Sequence, residues 1–218
     1  MIIAIDGPAG AGKSTVAKIL AKRLGFLYID TGAMYRALSL KALRENIEIK
    51  DTQKIIDLAS CTQISLSNNP DGSLKVLLDE EDVTELIRQP AVTQIVSEIA
   101  KIEGVRRLMW DLQRKLAKNQ NSVLDGRDIG TVVFPNADKK FFLDADFKER
   151  VKRRYKELKE LKQEITWEAV EEDLRNRDKI DSTRACAPLK KAEDALYVDT
   201  THMSIEEVVE YLLKQIQN

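Results

Sequence analysis

Gly7-Pro8-Ala9-Gly10-Ala11-Gly12-Lys13-Ser14-Thr15 decides the fold of this chain. The stretch reads G-x-x-x-x-G-K-S, the spacing of a phosphate-cradling P-loop. That spacing is informative only with a buried strand before it and a helix after it, and both are present. Ile2-Ile3-Ala4-Ile5 is a short apolar run rich in β-branched residues. Val16, Ile19, Leu20 and Leu24 recur at helical spacing and stop at Gly25. Glycines let the chain curl until successive N–H groups face one point, and the helix start adds its positive dipole end. Gly7 to Thr15 are therefore predicted to cradle phosphates, with Lys13 reaching the β- and γ-phosphates and the Ser14 hydroxyl available to Mg²⁺.

Outward from the loop, strands alternate with helices. Phe26-Leu27-Tyr28-Ile29 is a second strand, and it ends in Asp30-Thr31-Gly32 at the edge where parallel sheets collect ligands. A helix is predicted from Ala33 to about Leu43, with Tyr35 and Arg36 in its first turn. A cation there opposes the helix dipole, so Arg36 is either an ordinary exposed arginine or the partner of an anion. Ser122-Val123-Leu124 is a third strand leading into Asp125-Gly126-Arg127-Asp128. An acid at that place suits Mg²⁺, directly or through water, which nominates Asp125 beside Ser14. Arg127 offers a fork of donors to a phosphate, unless it forms a simple Asp–Arg surface pair. Lys140–Leu143 and Leu196–Val198 complete five strands, and Ser204-Ile205-Glu206-Glu207 opens the last helix with a capping box. The expectation is an α/β, three-layer P-loop domain with a parallel sheet, spanning 1–218.

Three segments break the alternation. Gln63–Ser67 and Leu74–Leu78, joined through Asn69-Pro70-Asp71-Gly72, predict a small antiparallel insert over about 61–95. Gly104 is expected to end a helix begun near Pro90. A charged arm over about 146–180 starts with a helix from Asp146 to Lys162 carrying Arg150, Arg153 and Arg154. That helix is either a solvated face with i,i+4 pairs or a lid closing over a triphosphate. Thr166 caps a second helix through Lys179, and Arg177 to Arg184 reads as a charged loop.

Composition narrows the class. A net charge of −1 argues against a general nucleic-acid binder. No apolar run reaches the length of a membrane span. Cys61 and Cys186 lack metal spacing, and no secretory signal opens the chain, so a reducing cytoplasm with free thiols is expected. His202, the only histidine, precedes a helix cap and makes a histidine-based catalytic cluster improbable. A GTPase would carry a base-reading N-K-x-D stretch, and the fourth strand is followed instead by Asp144-Ala145-Asp146. Arginines at strand ends and loops (Arg36, Arg106, Arg127, Arg177, Arg184) suit a phosphorylated acceptor, whose charge must be masked before a second phosphate can approach.

The segments IDGPAGAGKST at 5–15, DTGAMYR at 30–36, DGRDIGTVVFP at 125–135, FLDA at 142–145 and RDKIDSTRACAPL at 177–189 resemble the bacterial-type cytidylate kinases of the nucleoside monophosphate kinase family. The resemblance runs along nearly the whole chain. It implies a five-stranded sheet of order 2-3-1-4-5, a mobile lid, and transfer of the ATP γ-phosphoryl group to CMP or dCMP in a cytoplasmic monomer. It implies that Thr31, Tyr35, Arg36, Ser97, Arg106, Arg127, Asp128, Arg177, Asp181 and Arg184 surround the acceptor. Ser97, Arg106 and Asp128 would serve the cytosine edge, Arg36, Arg127 and Arg184 the phosphate, and Asp181 a sugar hydroxyl. Lid residues Arg150, Arg153 and Arg154 would approach the transferred group, with Lys13 and Arg127. Thr31 stands where many relatives carry Ser and keeps the hydroxyl. A kinase for AMP, UMP or shikimate, or a nucleotide-binding switch without transferase activity, are the competing readings.

Overall fold

β1 (Ile2–Asp6) lies at the centre of a five-stranded parallel sheet with β2 (Leu27–Asp30), β6 (Ser122–Gly126), β7 (Lys139–Asp144) and β8 (Leu196–Asp199). The order is β2-β6-β1-β7-β8, which is 2-3-1-4-5 when the parallel strands alone are counted. The structure, a computed structural model, describes residues 1–69, 73–161 and 163–217. Ile3, Ala4, Ile5, Val123, Leu124 and Leu143 are fully buried, as strands covered on both faces require. Helices α1 (Lys13–Leu24) and α2 (Thr31–Arg44) follow the first two strands, and α8 (Ile205–Gln217) packs against α1.

Four strands of this sheet close on an aspartate (Asp6, Asp30, Asp144 and Asp199), and β6 carries Asp125 one residue before its end. The register sets Asp30 beside Asp125 and Asp144 beside Asp199, so the five acids line the carboxyl edge.

The insert holds one strand more than the two read from sequence. β3 (Ile64–Asn68), β4 (Leu74–Leu78) and β5 (Glu81–Asp82) form an antiparallel sheet, reached through α3 (Thr52–Cys61). Pro70, Asp71 and Gly72 of the expected turn lie outside the described residues. A 3₁₀ turn (Leu86–Arg88) leads to α4 (Pro90–Ala100), with Pro90 in the first turn, where its missing N–H costs nothing.

Gly104 does not end a helix. The break falls at Lys101–Ile102, and Gly104 sits in the first turn of α5 (Glu103–Leu116). A Cβ there would lie 2.5 Å from the Ile56 side chain, so the glycine lets α3 and α5 pack closely. The arm is two helices, α6 (Phe147–Glu160) and α7 (Trp167–Thr183). Val151, Leu158, Val170 and Leu174, with Ala9 of the loop, make a small core separate from the main one. Lys162, the expected end of the first arm helix, lies outside the described residues.

The charged loop expected at 177–184 is helical through Thr183. Its Arg, Asp and Lys residues are tolerated in a helix, and the Ser182 and Thr183 hydroxyls turn back onto the Asp178 and Lys179 carbonyls. Helical spacing puts Arg177, Asp181 and Arg184 at i, i+4 and i+7 on one stripe.

Candidate active site

Above the carboxyl edge lies a cleft of about 1220 Å³, bounded by the loop, α2, the insert, the turn after β6 and the arm. A smaller hollow of about 470 Å³ beside Met1 and Asn121, near the start of β1, has no convergence of charged side chains.

The loop curls as its glycines allow, with positive φ at Gly7 (147°), Gly10 (77°) and Gly12 (85°). A Cβ on Gly7 would sit 1.9 Å from the Leu143 carbonyl oxygen, so only glycine lets the chain turn there against β7. Ala9 to Thr15 line the cleft, while Gly7 and Pro8 lie behind it. Lys13 Nζ donates to the Pro8 carbonyl at 2.6 Å, which folds the side chain back over the loop. Burial, followed by the nearby Arg127, pushes the Lys13 ammonium below its usual range. An arriving polyanion would restore it.

Four of the five strand-end acids are committed to backbone amides. Asp6 accepts from Ile129 and Gly130, Asp30 from Ala33, Asp144 from Ala145 and Asp199 from Thr201. Asp125 instead meets hydroxyls: Ser14 Oγ donates to its Oδ2 at 2.6 Å and Tyr28 Oη to its Oδ1 at 3.0 Å. Burial, then the neighbouring Asp30, raises the Asp125 carboxyl. A carboxylate that repels its neighbour and touches a reorientable hydroxyl suits a hard cation. Among the described residues no group of three or more His, Cys, Asp or Glu forms a metal cage. That suits Mg²⁺, which takes one or two protein oxygens and completes its shell with water and phosphate.

Arginines crowd the remaining wall. Arg36 reaches Thr93 Oγ1 at 2.8 Å, and burial, followed by Arg177 and Arg154, pushes its guanidinium down to about 9. Arg177 and Arg184 are also held below their usual range, first by burial and then, among like charges, by Arg127 and Arg106 respectively. Asp181 accepts from Arg127 Nε at 2.8 Å and Arg184 Nη1 at 3.1 Å. Burial alone would raise its carboxyl, but Arg127 and Arg184 hold it below the usual range. One carboxylate does not satisfy so many donors. Arg106 Nε, Arg154 Nε, Arg177 Nε and Arg184 Nη2 are buried without a partner, as is the Tyr35 hydroxyl. Orphaned buried donors are costly, and several around one cavity mark the place of an absent anion or polar ligand.

At the end of the cleft nearest α5, Arg106 donates to Asp128 Oδ2 at 2.5 Å and to the Ala100 carbonyl at 2.9 Å. Ser97 lines the same wall, and Thr31 Oγ1 donates to the Asp125 carbonyl at 2.7 Å beside it. On the loop side, Arg153 grips the Thr200 carbonyl at 2.6 Å, and Arg154 pairs with Glu157 at 2.8 Å while facing the cleft.

Arg150 departs from its expected place. Its guanidinium does not line the cleft; it donates to the Ala9 carbonyl at 3.0 Å, the Ala145 carbonyl at 3.1 Å and Asp178 at 2.7 Å. The first turn of α6 lies against the loop's outer side, so its side chain ties the arm to the loop. Sequence reasoning missed Tyr28, Asp6, Trp110 and Arg88. Only Tyr28, in the strand that ends immediately before Thr31, carried a local hint. His202 is exposed and stands on the cleft's rim.

The cytidylate kinase family profile matches residues 3–218. The chain belongs to the cytidylate kinase family. It is 54% identical over 215 residues to a cytidylate kinase of Caldanaerobacter subterraneus subsp. tengcongensis, covering 99% of this chain and 94% of that relative. To the cytidylate kinase of Clostridioides difficile (strain 630) it is 50% identical over 216 residues, covering 99% and 98%. Among solved structures, a shikimate kinase from Bacteroides thetaiotaomicron aligns with a TM-score of 0.51 at 14% identity, covering 100% of this chain and 99% of that one. That likeness shows the shared fold, on which cytidylate kinases and other small-molecule kinases are built. No helix among the described residues is long and apolar enough to cross a membrane.

Proposed function

We propose that the chain transfers the γ-phosphoryl group of ATP to the 5′-phosphate of CMP or dCMP, releasing ADP and the cytidine diphosphate. The observation that carries this reading is the set of orphaned arginine donors between the loop and the Arg106–Asp128 pair. It offers phosphate-binding charge midway and a polar base-reading edge beyond.

Ala9 to Thr15 wrap the donor's phosphates, with Arg153 beside Gly12 on the way to the transferred group. Arg36, Arg127 and Arg184 take the acceptor phosphate, supported by Arg177. Asp181 accepts from a sugar hydroxyl, and Ser97, Arg106 and Asp128 meet the cytosine edge, with Thr31 and Tyr35 lining the floor. An acceptor phosphate oxygen, already anionic, attacks the γ-phosphorus in line. The bond to the β–γ bridging oxygen breaks, and ADP leaves with that electron pair. No base is required. Lys13, Arg127 and Arg154 stabilise charge on the moving phosphoryl, and closure of α6 and α7 as a lid excludes water. Ser14 and Asp125 would hold Mg²⁺, which neutralises phosphate charge when bound. Arg150 supports the lid from behind and touches no reacting atom. The reading takes the chain to act as a monomer in a reducing cytoplasm.

The test is ADP release from ATP and Mg²⁺ with CMP, dCMP, UMP, AMP or shikimate as acceptor. The reading expects CMP and dCMP to exceed the others in kcat/KM by two orders of magnitude or about that. A preference for AMP or shikimate would overturn it.

A further inference from the structure

Asp128 Oδ2 accepts two hydrogen bonds, from Arg106 Nη2 at 2.5 Å and from the Trp110 indole Nε1 at 2.9 Å. Two donors fill the lone pairs of that oxygen. Oδ1 accepts from no described residue, and Asp128 lines the cleft. Arg106 and Trp110 stand four residues apart on α5, so one helical turn delivers both donors to a single atom. The Arg106 guanidinium also lies 5.7 Å from the ring centres of both Tyr35 and Trp110, which fixes its plane. With Arg106 alone, the carboxylate could turn about its terminal torsion, which is soft and nearly two-fold.

We propose that Trp110 is a positioning residue for base selection. Its indole N–H locks the Asp128 carboxylate so that Oδ1 faces the acceptor's base. There the oxygen accepts from an exocyclic amine, as on cytosine, and repels an exocyclic carbonyl, as on uracil. This inference rests on the reading of Asp128 as a base-edge contact. Trp110 touches no substrate; it acts through the orientation of another side chain.

The experiment compares wild type, Trp110→Phe and Asp128→Asn on CMP and UMP with saturating ATP. Trp110→Phe keeps a ring beside Arg106 and removes only the N–H donor. It is expected to lower the CMP-over-UMP ratio of kcat/KM by about tenfold, the worth of one buried hydrogen bond to a charged group. The loss is expected in the KM for CMP, with kcat and the KM for ATP unchanged. Asp128→Asn is expected to lower the ratio at least as far. An unchanged ratio in Trp110→Phe, with a reduced one in Asp128→Asn, overturns the role of Trp110 alone. An unchanged ratio in Asp128→Asn overturns the base-edge reading, and this inference with it.

A measurement on protein with the native Trp110 guards against misfolding of the variant. In Trp167→Phe protein the single remaining indole N–H resonance is expected to be protected from solvent exchange and to shift on adding CMP, but not on adding ATP. Rapid exchange, or indifference to CMP, overturns the proposal.

Discussion

Asp6 shows how one carboxyl outside the chemistry shapes the cleft. Its oxygens accept from the Ile129 and Gly130 amides at 2.9 and 2.7 Å, pinning the π-turn Ile129–Val133 directly behind Arg127 and Asp128. Burial pushes the Asp6 carboxyl up to about 6 from 3.8. Because the folded value is the higher one, this group's contribution to stability is fully present below pH 3.8 and is lost as pH rises through 6. Asp6→Asn removes that dependence. The stability lost in Asp6→Asn is therefore expected to be greater at pH 4 than at pH 7.5, by about 2 kcal/mol, in urea titrations at each pH. Lys13 belongs to the same scale. Its one described hydrogen bond is to the Pro8 carbonyl. Lys13→Ala is expected to lower kcat by about 10²–10³-fold while leaving the circular dichroism spectrum unchanged. Wild-type turnover would remove Lys13 from the mechanism. Lys13 was legible because its motif is local. Tyr28 was not legible as a partner of Asp125, since 97 residues separate them and only strand pairing joins them.

At the scale of elements, α7 carries more of the site than its composition suggests. Read as a loop, Arg177, Asp181 and Arg184 would be independent; with the first two on α7 and Arg184 capping its end, they share one side, facing the cleft. The misreading has a physical cause: charge density resembles a loop's, and the tertiary contact that marks the inner face lies on other elements. α6 shows the reverse. Arg150 and Arg154 look equivalent in sequence, yet four residues of helix bring Arg150 against Ala9 and leave Arg154 on the cleft. Breaking a buried pair strands its partner's charge. Asp178 is a quarter exposed, so Arg150→Ala is expected to cost less than a fully buried pair would, about 2 kcal/mol in urea unfolding, and adding Asp178→Ala to recover part of it. A double-mutant cycle is expected to give a coupling above roughly 1 kcal/mol. Additivity of the two losses would mean that Asp178 does not hold Arg150 in place against the Ala9 carbonyl.

At the scale of the whole molecule, the cleft brings together Arg36, Arg177 and Arg184, each held below its usual range by burial and by neighbouring arginines, although Asp173 pairs with Arg177 and Asp181 with Arg184. This is stored repulsion that a phosphorylated ligand relieves. Arg36→Met is expected to raise the Tm of the free protein by a few degrees, roughly 2–4 °C for 1 kcal/mol at this size. The same variant is expected to reduce the stabilisation given by CMP, which for wild type is about 2.7 kcal/mol at a hundred times Kd. A lower Tm with full CMP stabilisation would place the anion elsewhere. The sequence by itself determined the phosphate loop, the parallel sheet and its ligand edge, because strand and helix periodicities and a nine-residue motif depend only on near neighbours. Family membership was legible on the same terms, from short contiguous segments. Only the tertiary structure decided that Asp6 is taken by the Ile129 and Gly130 amides, that Arg150 turns away from the cleft onto Ala9, and that Trp110 shares an oxygen of Asp128 with Arg106. Those outcomes rest on contacts between segments far apart in the chain, which exist only once those segments pack.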